Sequence, residues 1–405
     1  MKWLKRIFAL RNVASTAMVI LVLVYFPMFF EMDFLDPVQN TLEDLQITDI
    51  VFSQIFDYSD VVTDTNIVLV NIANLNRLGI ARQIQEINKW EPAVIGVDAF
   101  FRSRKDPFQD SVLAHAYSEV DNLVLATKMT LYDDKIGHFD SLETSHDIFI
   151  EGSLSGFTNF IEDGGNFRTI RKFTPMELVQ GEPHYSFSAV VTKYYDYDAY
   201  QRLLERHRGP EIINYRRDRS KYIIIDALEL FERKDDLAFV KDKIVLLGFM
   251  GPQLNTLTNE DIFFTPLNER YVGKSYPDMY GVTVHANIIS MLLDGKYMGY
   301  SPDWMTVAFT IFLIHLNMVI FSLLREKKHG WYEPVSVIMT FGQVALLFVI
   351  ILMTFYMFHY EFKSGGVFFA VIIVKQVYEL YNDSLKKIFR DLYRNKFKKL
   401  AQGGK

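Results

Sequence analysis

The chain has 405 residues, half of them hydrophobic, with 43 Lys and Arg against 49 Asp and Glu and a formal net charge of −6. Residues 31–303 hold 26 Lys and Arg against 43 Asp and Glu, a net of −17. This excludes a nucleic-acid binder, which needs a basic face. The absence of cysteine excludes a disulfide frame and thiolate chemistry.

The hydrophobic excess sits in four runs, 13–30, 304–324, 335–358 and 366–374. The first three are long enough to cross a bilayer as helices; the fourth is short and either crosses tilted, with Lys375 snorkelling and the helix extended to about residue 381, or is a half-inserted or interfacial helix. Residues 1–12 carry Lys2, Lys5, Arg6 and Arg11. The bulky Pro27-Met28-Phe29-Phe30-Glu31 after the first run offers no small-residue cleavage site, so the run reads as an anchor rather than a signal peptide. Residues 31–64 carry Leu42, Leu45, Ile47, Ile50, Val51, Phe52 and Ile55 in an amphipathic, helical pattern, a connector onto the domain that follows.

That domain alternates. Ile67–Ile72, Ala93–Asp98 and Leu123–Ala126 are apolar runs with the character of buried strands, and residues 80–90 and 109–120 between them read as helices. Strand–helix–strand at this spacing predicts parallel pairing with right-handed crossovers. Residues 133–146 are polar and read as a loop. Residues 156–160 and 167–170 flank Asp163-Gly164-Gly165-Asn166, a turn signal that predicts an inserted hairpin. A helix from 186, a second helical stretch at 197–207, a strand at 212–215 and a short helix at 227–233 follow. Lys243-Ile244-Val245-Leu246-Leu247-Gly248 reads as a strand covered on both faces, and 281–293 as a helix ended by Gly295.

Basic residues mark the membrane orientation. Arg325, Lys327 and Lys328 lie between the second and third runs, and eight Lys and Arg follow residue 381, whereas the connector between the third and fourth has only Lys363. By the positive-inside rule this predicts both termini and the 325–334 loop in the cytoplasm and 31–303 outside it. The envelope of a bacterium, at its inner membrane, fits best. The tail, 382–405, sets Leu385, Phe389 and Leu392 roughly on one side among lysines and arginines, a basic amphipathic helix that lies on anionic lipid or binds a protein partner.

Catalytic signatures are missing: there is no Walker A, GxGxxG or HExxH, and Gly152-Ser153-Leu154-Ser155-Gly156 has leucine where a nucleophile elbow needs serine. No cofactor is implied, and the nine histidines form no i,i+4 pair for zinc. Asp98 ends an apolar strand, where open parallel sheets bind ligands; the commoner fate of such a carboxylate is to cap the next helix or pair with Arg102 or Arg104. Asp163 beside Gly164 is a turn residue or a cation ligand, with Arg168 as a candidate partner. Glu162, Asp163 and Asp261 can supply acid and base, though nothing in their spacing demands hydrolysis. His285 and Asn287 are read as a buried polar pair on a helix start, structural more often than ligand-binding.

Taken together, Asp49-Ile50-Val51-Phe52, IVLVNI…LNRLG, PAVIGVDAFF, Gly156-x-x-Asn159-x-x-x-Asp163-Gly164, Arg168, Tyr185-Ser186-Phe187, Ile213-Asn214-Tyr215, KIVLLG, Asp261 with Thr265-Pro266, and GVTVHANIISMLL resemble the second class of CHASE domain, from about residue 45 to 295. The resemblance implies an α/β extracytoplasmic sensor with a mostly parallel sheet and an inserted hairpin, followed by up to three spans, about four in all. It departs at Gly79-Ile80-Ala81-Arg82, where the family often has a Trp-Pro-rich stretch, and at Arg216-Arg217, where a glycine is usual. The family commonly continues into a kinase, cyclase or phosphatase, for which the segment after the fourth run is too short. The expectation is a sensor of an unidentified extracytoplasmic signal, acting through a separate protein or as a homo-oligomer; the alternative is a scaffolding subunit of an envelope complex. Candidate ligand-binding residues are Asp98, Asp163, Arg168, Asp261, His285 and Asn287, and candidate partner-binding residues are Leu385, Phe389 and Leu392.

Overall fold

The computed structural model describes residues 10–29, 47–56, 58, 61–133, 135–163, 169–207, 209–254, 256, 258–268, 276–327, 329–362 and 365–381. The chain divides into two compact units, Gln39–Met298 and a helical one made of Met1–Val38 with Gly299–Lys405.

The strands of the first unit are β1 Asp64–Asn71, β2 Val94–Asp98, β3 Leu123–Asp133, β4 His138–Glu143, β5 Leu154–Phe157, β6 Ile161–Asp163, β7 Thr169–Phe173, β8 Met176–Val179, β9 Glu182–Tyr185, β10 Glu211–Ile212, β11 Tyr222–Ile225, β12 Ile244–Gly248, β13 Ile262–Phe263 and β14 Met279–Tyr280. The main sheet runs β11-β1-β12-β2-β3-β4-β8-β9, with β5 also paired to β3. Its centre is parallel: Val68 faces Val245 and Val245 faces Ile95 in register. The apolar runs are continuous because both faces are covered. Alternate side chains divide between two cores. Val68, Val70, Ile95, Val97, Val245 and Leu247 enter the core under the Arg77–Asn88 and Pro107–Ser118 helices. Ile67, Leu69, Val94, Ile244 and Leu246 enter the core under the Phe187–Tyr195 and Gly281–Asp294 helices.

Local chemistry starts and stops these helices. Asn76, Asp106 and Ser186 each accept a backbone N–H as an N-cap, and Pro107 opens its helix where no N–H is needed. Gly295 closes the Gly281–Asp294 helix in the left-handed region at φ 64°.

Most pairings of the main sheet are parallel, as expected, while β3–β4 and β8–β9 are antiparallel. Three expectations change. Residues 133–146 are not a loop: β3 runs on to Asp133 and β4 returns antiparallel to it, with the Tyr132 and Phe139 rings 4.9 Å apart across the pair. The 156–160 segment does not form the hairpin, because Leu154–Phe157 joins the main sheet beside β3 while β6 pairs with β7. The strand expected at 212–215 shortens to β10, and three strands absent from the sequence reading, β11 and the β8–β9 hairpin, complete the sheet. Near the start of the unit, an Ile47–Ile50 turn and a Val51–Ile55 π-helix are fastened by Asp49. It takes Nε and Nη2 of the buried Arg171 on β7 at 3.0 and 2.8 Å.

The helical unit contains Leu10–Phe29, Asp303–Lys327, Tyr332–Phe358 and Gly365–Leu380. Of the four expected spans, two stand out among the described residues: Asp303–Glu326 and Tyr332–Phe358 are long and apolar enough to cross a membrane. Gly365–Leu380 has 16 residues, about 24 Å of helix against a bilayer core of about 30 Å. The four helices nonetheless pack together: Val19, Ile314, Met318, Phe321, Tyr332 and Val374 share one core, and Thr16 Oγ1 lies 3.1 Å from His315 Nδ1.

A pocket at the carboxyl ends of the parallel strands

Asn71, Gly248 and Asp98 stand side by side at the ends of β1, β12 and β2. Asn71 is wholly engaged: its Nδ2 donates to Asp226 Oδ1 and Gly251 O, and its Oδ1 accepts from Ala73 N and Met250 N. Gly248 has no room for a side chain, since a Cβ there would lie 2.6 Å from Val282 Cβ. The Gly281–Asp294 helix thus rests directly on the strand end and brings His285 toward Asp98.

Asp98 opens into a pocket of about 260 Å³ lined by Asp98, Phe100, Lys128, Thr158, Asn159, Phe160, Asp261, Phe263 and His285. The carboxyl ends of parallel strands are where open α/β sheets hold ligands. Asn159 is fixed like a strand residue, its Oδ1 accepting from Met129 N at 2.7 Å and its Nδ2 donating to Met129 O at 2.9 Å. Asp261 is held in the left-handed region at φ 50°, its carbonyl accepting from Gly281 N at 3.0 Å. A Cβ on Gly281 would sit 3.1 Å from both Asp261 carboxylate oxygens, so this glycine leaves the carboxyl its space.

Neither acid has a hydrogen-bond or ion-pair partner among the described residues. The expected fate of Asp98 is overturned: Arg102 pairs with Glu143 at 3.0 Å, and the following helix is capped by Asp106. Burial pushes the Asp98 carboxyl up to about 7. Asp261 is raised to about 8, by burial first and by the charge of Asp98 second. Asp261 is open on its solvent side, so burial acts on it through the crowded inner side of the pocket. The two groups titrate as a pair.

His285 is 2% exposed, and burial lowers its pKa to about 3, so it is neutral. Its Nδ1 lies 2.9 Å from Ser188 Oγ, whereas its Nε2 has no partner. The Phe160 and Phe187 ring centroids lie 4.6 and 5.1 Å from the imidazole. An unpaired buried nitrogen beside two unpaired acids is costly unless something binds there. No group of three or more His, Asp or Glu among the described residues is disposed to hold a metal ion.

Three of the six candidate ligand residues, Asp98, Asp261 and His285, therefore converge. Asn287 does not: its Oδ1 accepts from Arg217 N and its Nδ2 donates to Arg217 O at 2.8 Å, which ties the helix to a loop. The Asp163 side chain, Arg168, Leu385, Phe389 and Leu392 lie outside the described residues. Lys128, Asn159 and the three phenylalanines were missed. Asn159 and Phe100 stood within motifs already singled out, but Lys128 and Phe263 gave no local signal.

The family model described as the CHASE2 domain matches residues 16–324. No curated protein matches the chain, and neither does any solved structure.

Proposed function

Because the chain belongs to the CHASE2 domain family, we propose that the pocket formed by Asp98, Asp261 and His285 is the ligand site through which its extracytoplasmic sensory domain detects a signal. Domains of this family are sensory rather than catalytic, and the two long apolar helices fit a multi-pass membrane protein. The observation that carries the reading is the convergence of two unpaired carboxyls and an unpartnered, buried His285 Nε2 at the strand ends. A fold does not specify a ligand, but a site's unpaired groups do restrict it.

The reading includes a topology of four spans, at 13–30, 304–324, 335–358 and 366–381, with both termini and the 325–334 loop in the cytoplasm of a bacterial inner-membrane protein. Packing within the helical unit supports it. Gly299 and Tyr300 pair with Tyr360 and Glu361, so the start of the Asp303–Lys327 helix and the end of Tyr332–Phe358 lie together. Lys375 meets Glu333 at 2.7 Å at the opposite end of the Tyr332–Phe358 helix, as a chain that has turned back would bring it. The basic tail then docks a separate effector protein or the lipid surface.

The test screens a small-metabolite library against the full-length chain in lipid nanodiscs by thermal shift. Compounds that stabilise the parent are expected to lose that effect on Asp98→Asn and Asp261→Asn chains. Compounds that bind all three proteins alike would show that the pocket is not the sensory site.

A further inference from the structure

We propose that this pocket takes a small organic ammonium ion, its positive head between the Asp98 and Asp261 carboxyls and its apolar body against the Phe100, Phe160 and Phe263 rings. The inference rests on the reading of the pocket as the sensory site and names the chemistry of its ligand.

The argument begins with charge. The titratable groups lining the pocket are Asp98, Asp261, His285 and Lys128. Two carboxyls without a cationic partner repel an anion and welcome a cation. The cation is not a metal ion, for want of a third suitably placed ligand among the described residues. Lys128 is exposed at the margin and opposes a second positive charge, so the ligand is a monocation.

The walls specify the rest. Phe160 and Phe263 meet edge to face with centroids 5.5 Å apart, and Phe100 completes the aromatic lining. Aromatic faces attract ammonium groups and apolar carbon alike. His285 supplies a directional contact. The tautomer that donates Nδ1–H to Ser188 Oγ leaves Nε2 as an acceptor for a ligand N–H, an assignment that follows from the hydrogen-bond network. The volume of about 260 Å³ falls just below the range of about 300–1,000 Å³ usual for small-molecule sites, which limits the ligand to a compact molecule.

Burial holds the two acids protonated toward neutral pH. A bound cation favours their ionised forms, so the carboxyl proton passes to solvent while the ligand keeps its own.

The experiment is isothermal titration of the full-length chain in nanodiscs at pH 7.5 with propylamine, phenethylamine and choline, against the neutral isosteres propanol and 2-phenylethanol. Each titration is run in two buffers of different ionisation enthalpy. At least one ammonium compound is expected to bind at least tenfold more tightly than its neutral isostere, with a buffer-dependent enthalpy that reports proton release. Asp261→Asn, which tolerates the left-handed backbone at this position, should weaken binding at least tenfold and reduce the proton release. Equal binding of alcohols and amines, binding of no ammonium compound, or amine binding indifferent to Asp98→Asn and Asp261→Asn would each overturn the proposal. A neutral or anionic compound that binds and responds to those substitutions would refute the ligand class and leave the sensory site standing. Binding that ignores the substitutions altogether would refute both.

Discussion

A single carboxyl shows how environment sets chemistry here. The folded-state pKa of Asp261 lies above its unfolded value near 3.8, raised by burial and by Asp98. Between about pH 4 and 8 the folded chain therefore holds a proton that the unfolded chain has released. Stability attributable to this group is full at the acid end and is lost as pH rises through the folded pKa. Asp261→Asn removes the titration. Its melting temperature relative to the parent should therefore rise between pH 5 and pH 8.5, measured by differential scanning fluorimetry; a constant difference would mean that the carboxyl is not perturbed. His285 works in the opposite sense. Its folded pKa is depressed to about 3, so its contribution is lost as pH falls from about 6.5 toward 3.

At the scale of elements, the central strand and the helix laid across its end hold the pocket in place. Val245 on β12 is fully buried between two parallel neighbours. Val245→Asp would bury a charge with no partner and cost several kcal/mol, comparable to the whole margin of a domain. A purified variant that melts like the parent would show that β12 is not central. Gly248→Ala tests the contact with the helix. Its Cβ would fall 2.6 Å from Val282 Cβ, forcing the Gly281–Asp294 helix outward. Overpacking of this kind costs about 1–3 kcal/mol. Because His285 rides on the same helix, ligand response should decline together with the denaturation midpoint; an unchanged midpoint would mean that the contact yields freely.

At the scale of the whole molecule, the question is which parts face which side of a membrane. The chain contains no cysteine, so single introduced thiols report without background. Ser141→Cys, on β4, should react with an impermeant reagent in cells stripped of outer barriers, and Lys328→Cys should not. The reverse pattern would invert the topology. The tail is tested separately: Phe389→Ala with Leu392→Ala should release a docked protein while the chain stays inserted, and Lys396, Lys398 and Lys399 changed to Gln should matter less. Release by the charge changes alone would make the tail a lipid anchor, since each basic residue near an anionic leaflet contributes about 1 kcal/mol.

The sequence by itself determined the elements whose cause is local. Continuous apolar runs marked β1, β2 and β12, because burial on both faces leaves no polar position, and Gly295 marked its helix end because the left-handed cap favours glycine. It also picked out Asp98, Asp261 and His285 individually. Only the tertiary structure decided what those three residues do. The insertion of β12 between β1 and β2, and the return of β4 along a polar stretch, are pairings between segments whose local patterns do not encode their partners. Asp98 looked like a cap or an ion-pair member, and it became a pocket acid because Arg102 turned to Glu143 and Asp106 took the cap. Its raised pKa comes from the protein atoms that the fold packs around it. No window of sequence contains them.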